Sequence, residues 1–319
     1  MRTVDVPALI EQISAGHPRA VARGISLIER GDDAVRSLLS GLAPHLRSAQ
    51  VVGLTGAPGV GKSTTTNALV RALRARDLVV GVLAVDPSSP FSGGALLGDR
   101  IRMEEHATDR GVFIRSMASR GHLGGVAAAT AQAIRVLDAA GCDVVLIETV
   151  GVGQSEVEVM GLADTTVVLL APGLGDGIHA AKAGILEIGD VFVVNKADRD
   201  GADETVRDLR TMIRMGDRRE PGLWRAPVIR AVALADEGID ELVDSVTDHR
   251  RWMDERGTLE ERRRARVRAE VVALAVDRFT ASLESDPAVL DSAVASVLDG
   301  ALDTHAAAEQ VVGTVRTSP

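Results

Sequence analysis

An α/β fold with a mostly parallel central sheet flanked by helices, and with helical extensions at both ends, is predicted by three observations on this 319-residue chain. Short β-branched apolar runs alternate with helix-length segments from Val51 to Ile229, the pattern of successive βαβ units. A glycine-rich loop directly follows the first of these runs and opens into a helical segment. Toward either end of the chain the strand-like runs stop and apolar residues recur at helical spacing.

The elements follow in order. Leu9, Ile10 and Ile13, then Val21, Ile25 and Ile28, fall on one face at three- and four-residue spacing, which predicts helices within residues 7–46. Residues 1–48 are too few for a domain, so this N-terminal helical extension is expected to pack on the core. The predicted strands are Val51 to Thr55, Val79 to Val85, Val112 to Arg115, Val144 to Ile147, Thr166 to Leu170, Val191 to Val194 and Pro227 to Ile229. They place a nucleotide-binding domain at 49–256, with ligand contacts at the carboxyl ends of the strands. Residues 257–319 carry further amphipathic helices, including Arg266 to Leu283 and Pro287 to Leu302. Their apolar stripes must pack on the core or on another copy, and a dimerisation arm is the expectation.

Composition narrows the partners. The net charge of -9 and a pI near 5.3 argue against nucleic acid, because a phosphate backbone needs a basic surface. The run Arg262-Arg263-Arg264-Ala265-Arg266-Val267-Arg268 is flanked by Glu255, Glu260, Glu261 and Glu270, and is expected to be a solvated, salt-bridged helix face. One cysteine, Cys142, excludes an internal disulfide framework and Cys-rich metal sites. Neither a signal-peptide stretch nor a window near the ~20 apolar residues of a membrane span is present. A cytoplasmic protein with no membrane partner is expected. Lysine occurs only at Lys62, Lys182 and Lys196 among 36 basic residues, so each calls for work that a compact ammonium does better than a planar guanidinium.

Lys62 lies in Gly56-Ala57-Pro58-Gly59-Val60-Gly61-Lys62-Ser63, with Thr64 next, between a predicted strand and a predicted helix. This is the context of a P-loop: backbone amides and the helix N-terminus wrap phosphates, Lys62 adds a point charge and Ser63 offers a Mg²⁺ ligand. The strand Val144 to Ile147 ends in Glu148, and Gly151 follows three residues later. In this spacing Glu148 would hold Mg²⁺ through water and the Gly151 amide would meet the γ-phosphate. Asp86 ends another strand and opens a loop that reaches Asp99 and Arg100. The loop's position suggests a switch, with Asp86 and Asp99 as candidates for metal or attacking-water contacts; turn-forming aspartates are the other reading.

Asn195-Lys196-Ala197-Asp198 follows the strand Val191 to Val194 and bears on the base. The Asp198 carboxylate can accept from the N1 hydrogen and the exocyclic amine of guanine, both lacking in adenine, so the motif selects GTP and GDP. Asn195 would bridge loops, and the Lys196 stem would lie across the base. Val152 stands just after Gly151, where many GTPases carry a water-orienting glutamine, and Gln154 lies two residues on. Slow intrinsic hydrolysis is therefore expected, since a missing transition-state group is worth ~10³ to 10⁵ in rate.

Together these segments resemble the MeaB, MMAA and ArgK family of P-loop GTPases across about residues 19 to 255. The likeness rests on Arg23 to Glu29, the P-loop, Asp86 to Arg102, Ile114 to Gly125, Glu148 to Glu156 and Asn195 to Asp198. It implies a chaperone of adenosylcobalamin-dependent acyl-CoA mutases, chiefly methylmalonyl-CoA mutase, that couples GTP hydrolysis to cofactor loading, protection and reactivation. It also implies a homodimer joined through C-terminal helices, and a third switch, Gly175 to Lys182, that would give Lys182 a signalling role. Two positions depart from the family pattern. His179 replaces the usual glutamine, and Ala231-Val232-Ala233 replaces the usual Ser-Ala guanine loop, where a Val232 or Ala233 amide could still reach guanine O6. His122 is open to a partner contact or a structural role. A small-molecule kinase or transport-associated ATPase on the same P-loop, and a metal-delivery GTPase, are the competing readings.

Overall fold

Among the described residues the seven apolar runs become seven strands, and every strand pair of their sheet is parallel. They are β1 (Gln50–Thr55), β2 (Val80–Asp86), β3 (Val112–Ala118), β4 (Val144–Thr149), β5 (Thr165–Leu170), β6 (Val191–Val194) and β7 (Val228–Arg230). The sheet order is β3-β2-β4-β1-β5-β6-β7. The computed structural model describes residues 4–86, 104–106, 108–118, 125–149, 160–173, 188–216 and 222–317. Among them no helix is long and apolar enough to cross a membrane. The chain divides into two compact units, Met1–Arg266 and Val267–Pro319.

In the first unit both faces of the sheet are covered, which is why β1, β4, β5 and β6 are buried along their whole length and are apolar except toward their ends. One face carries α1 (Val6–Ser14), α2 (Pro18–Arg30), α3 (Ala34–Leu42) and α5 (Gly125–Ala139), whose side chains share a core with Val51, Leu83, Val145 and Ile147. The N-terminal helices therefore complete a layer of this unit. α4 (Lys62–Arg74) and α7 (Ile239–Arg256) cover the other face over Val52, Val82, Leu146 and Val193. α6 (Ala202–Gly216) packs its Val206 and Leu209 on Phe192 and Val194.

Aspartates immediately preceding three strands set the register at the amino edge. Asp143 before β4 accepts from Val79 N at 2.8 Å, Asp164 before β5 from Val51 N at 3.0 Å, and Asp190 before β6 from Thr166 N at 2.9 Å. Each meets an amide at or beside the start of a neighbouring strand, so these three donors at the sheet's edge are satisfied.

The arginine run only partly follows expectation. It lies on α8 (Thr258–Ser285), where Arg264 makes the expected exposed pair with Glu260. Arg262 turns inward and forks onto Asp190 (2.9 and 3.0 Å). Arg263 holds Asp164 (2.9 and 3.3 Å), with Arg266 at 3.3 Å from the same carboxylate. The reason is the buried aspartates: an ion as desolvated as Asp164, 1% exposed, requires partners that helix spacing alone does not reveal.

His249 of α7 is fully buried beside this clamp. Its Nδ1 lies 2.9 Å from Thr165 Oγ1 and its Nε2 3.4 Å from Asp190 Oδ1, and the rings of Trp224 and Trp252 pack against it and against each other. Burial pushes its pKa down to about 4, against the pull of Asp190 and Asp164 and with the help of Arg262. Between pH ~6.5 and ~4 the unfolded chain binds a proton that the native chain refuses, so this group lowers stability as pH falls through that window. His249→Gln should flatten the wild-type stability loss there by up to about 3 kcal/mol; parallel denaturation curves for both proteins from pH 7 to 4 would refute this.

The second unit contains the rest of α8, α9 (Pro287–Leu298) and α10 (Thr304–Thr317). Its small core is Ala293, Ala307 and Val311, ringed by Phe279, Leu283 and Val297. Val272, Val276, Leu290, Val294 and Leu298 remain exposed.

Candidate nucleotide site

β1 delivers the chain to residues 56–61 with Gly56 at φ 146° and Gly61 at φ 96°, values that favour glycine. A Cβ at Gly56 would collide with the Leu169 carbonyl, and one at Gly61 with Asn195 Nδ2. The loop is thus pressed against the end of β5 and the loop after β6. It then enters α4, whose first turn is tied by Thr65 Oγ1 to Gly61 O (3.0 Å) and Thr66 Oγ1 to Lys62 O (3.1 Å).

Lys62 is buried, with Nζ donating to Gly56 O (2.6 Å) and Ala57 O (3.2 Å), so its ammonium lies along the loop it is meant to serve. Ser63 Oγ donates to Glu148 Oε1 at 2.5 Å. Parallel pairing explains the meeting: Glu148 sits between Leu54 of β1 and Ala84 of β2, one residue short of the strand end that feeds the loop. A hydroxyl and a buried carboxylate converging at a phosphate loop form an oxygen donor set suited to Mg²⁺. Asp86 is the last residue of β2 and pairs with Ala118 at the same edge of the sheet. Asp99, Gly151 and Lys182 lie outside the described residues, as do Val152, Gln154, His122 and His179.

Asn195 spans two loops: Nδ2 donates to Val60 O (2.8 Å) and Oδ1 accepts from Ala233 N (3.1 Å). Lys196, at φ 57°, sends Nζ to Gly59 O (2.7 Å). Ala197 N donates to Ala231 O (3.0 Å), and Asp198 is exposed on the rim. Val232 N donates to Glu237 O (3.0 Å). Both amides expected for guanine O6 are therefore engaged, and Ala233 N would have to exchange Asn195 Oδ1 for the base.

Sequence reading missed the outer supports of this site. Arg71 of α4 contacts both Asp236 and Glu105, and Arg230 reaches Asp203 and Ala197 O. None has a local signal, since the partners lie far apart in sequence or on different loops.

A parallel sheet that presents a glycine loop, its lysine and an Asn-Lys-Ala-Asp turn along one edge defines the class: a P-loop GTPase. Residues 21–288 match the family described as methylmalonyl Co-A mutase-associated GTPase MeaB. The chain belongs to the MeaB family. A GTPase-named protein of Pyrococcus horikoshii is 44% identical over 98% of this chain and 98% of its own. GTPase ArgK of Escherichia coli is 36% identical over 79% of this chain and 78% of its own. The mouse methylmalonic aciduria type A homolog, a mitochondrial protein, is 37% identical over 81% of this chain and 63% of its own. The crystal structure of an LAO/AO transport system kinase shares the fold, with a TM-score of 0.73 at 24% identity over 99% of each chain.

Proposed function

We propose that this GTPase gates adenosylcobalamin loading, protection and reactivation of an acyl-CoA mutase, with methylmalonyl-CoA mutase the foremost partner. The observation that carries this reading is membership of a family described by its association with that mutase. In the proposed site Lys62 releases the Gly56 and Ala57 carbonyls and turns to the phosphates of GTP or GDP, while the Gly56 to Thr64 segment surrounds them. Ser63 and Glu148 would hold Mg²⁺, with Asp86 and Asp99 as further candidates, and the ion supplies charge neutralisation when bound. Lys196 lies across the base and Asp198 accepts its N1 and amine hydrogens.

The chain's own residues would then position nucleotide well and hydrolyse it slowly, leaving a partner or a rearranged switch to complete the transition-state contacts. Lys182, on the Gly175 to Lys182 segment, is proposed to report nucleotide state to the mutase. Residues 257–319 are proposed to join two copies. Support comes from the exposed Val272, Val276, Leu290, Val294 and Leu298, apolar side chains that a second copy would cover. A cytoplasmic location, with neither nucleic acid nor membrane as partner, completes the reading.

The test is GTP turnover alone and with each candidate mutase. Cognate mutase should raise the rate at least about tenfold, a small part of the ~10³ to 10⁵ that a supplied transition-state group commands. A flat rate with every acyl-CoA mutase of the source organism would sink the chaperone reading.

A further inference from the structure

The guanine loop is stiff within itself. Val232 N donates to Glu237 O (3.0 Å), Glu237 N to Val232 O (3.3 Å) and Ala235 N to Val232 O (2.8 Å), with Asp236 in the left-handed region at φ 58°. Such a loop moves as a body, so its contribution to base binding depends on where it is held relative to the phosphate loop. Its described polar ties outward include Ala233 N to Asn195 Oδ1 on one side and Asp236 to Arg71 on the other. Arg71 grips Asp236 with a fork, Nη2 to Oδ1 at 2.5 Å and Nε to Oδ2 at 3.3 Å, and spends its remaining nitrogen on Glu105 Oε1 at 2.6 Å. Arg71 stands on α4, the helix that opens with Lys62 and Ser63. The guanidinium therefore connects the helix that holds the phosphates to the loop that faces the base.

We propose that Arg71 is a positioning residue for guanine: through Asp236 it fixes the distance between the base loop and the phosphate-binding helix, while Glu105 fixes Arg71. The proposal rests on the guanine site described above. A planar fork can serve two carboxylates at once, whereas an ammonium would serve them as a point charge. The three side chains are all more than one third exposed, so their ion pairs contribute little to global stability. The effect belongs in nucleotide kinetics and not in melting.

The experiment measures release of ribose-labelled fluorescent GDP from the full chain by stopped flow. Arg71→Ala and Asp236→Ala should each release GDP about three- to tenfold faster, with the double variant no faster than either single one. Glu105→Ala should show a smaller gain in the same direction, and Arg71→Lys should fall between wild type and Arg71→Ala. The melting temperature without nucleotide should stay at the wild-type value. Affinity for 2-aminopurine riboside diphosphate, which lacks O6, should be unchanged by Arg71→Ala. Wild-type preference for GDP over ADP combined with unaltered GDP release from Arg71→Ala would overturn the proposal alone, as would additive effects in the double variant. A wild-type chain that holds ADP as tightly as GDP would remove the guanine site and the proposal with it.

Discussion

Lys62→Ala should lower affinity for both GTP and GDP by roughly a hundredfold or more, because a buried, charge-assisted contact to phosphate is lost with nothing to replace it. The wild-type ammonium is already seated among the loop carbonyls, at 2.6 Å from Gly56 O, so it has only to turn and not to fold into place. The replacement leaves the Gly56 and Gly61 geometry and the Ser63 to Glu148 contact in position, and the fold should survive. Lys62→Arg should do little better than alanine. The loop is closed so tightly around Leu169 and Asn195 that Gly56 and Gly61 have no room for a Cβ, and a guanidinium is broader than the ammonium it would replace. Titration with fluorescent GTP and GDP measures both variants, and affinity within threefold of wild type would refute the phosphate role.

Asp164→Ala should cost about 3–5 kcal/mol, the range for breaking a buried ion pair from one side. Its carboxylate is met by Arg263, Arg266 and the Val51 amide, and removal takes the counter-charge from two partly buried guanidinium groups, which keep the Ala49 and Leu162 carbonyls, and leaves a strand donor unmet. For a unit of this size the melting temperature should fall by about 10 °C. Asp164→Asn retains an oxygen acceptor for Val51 N and should lose less. The aspartate sits at the amino edge of a parallel sheet and the P-loop at the carboxyl edge, so nucleotide affinity measured well below the transition should be preserved. A melting shift under 2 °C would show that the clamp does not stabilise the sheet.

Much of the fold was legible because its signals are local. β-Branched runs mark β1 through β7 to within three residues, the largest miss being the end of β3 at Ala118 instead of Arg115, since strands covered on both faces are mostly apolar. The Gly56 to Ser63 and Asn195 to Asp198 segments are contiguous for a related reason: the phosphate contacts expected of the first come from consecutive backbone amides, and the base contacts expected of the second from side chains of a single turn. Family likeness added the proposed connection to a mutase.

Other features have no local signature. Ser63 meets Glu148 across 85 residues, Asn195 meets Val60 across 135 and Arg71 meets Asp236 across 165. The arginine run misled for the same reason: its i,i+4 glutamates are visible in the chain, whereas Asp164 lies 99 residues from Arg263.

By itself, then, the amino-acid sequence determined the kind of sheet, the phosphate loop and the choice of guanine, because each is written in the pattern of neighbouring residues. The tertiary structure decided which strand lies beside which, and so brought Glu148 to Ser63, Asn195 to two loops, and three arginines to buried aspartates. Charges and hydrogen-bond donors buried from water must find partners wherever the chain's path places them, and that path is set by packing over the whole sheet.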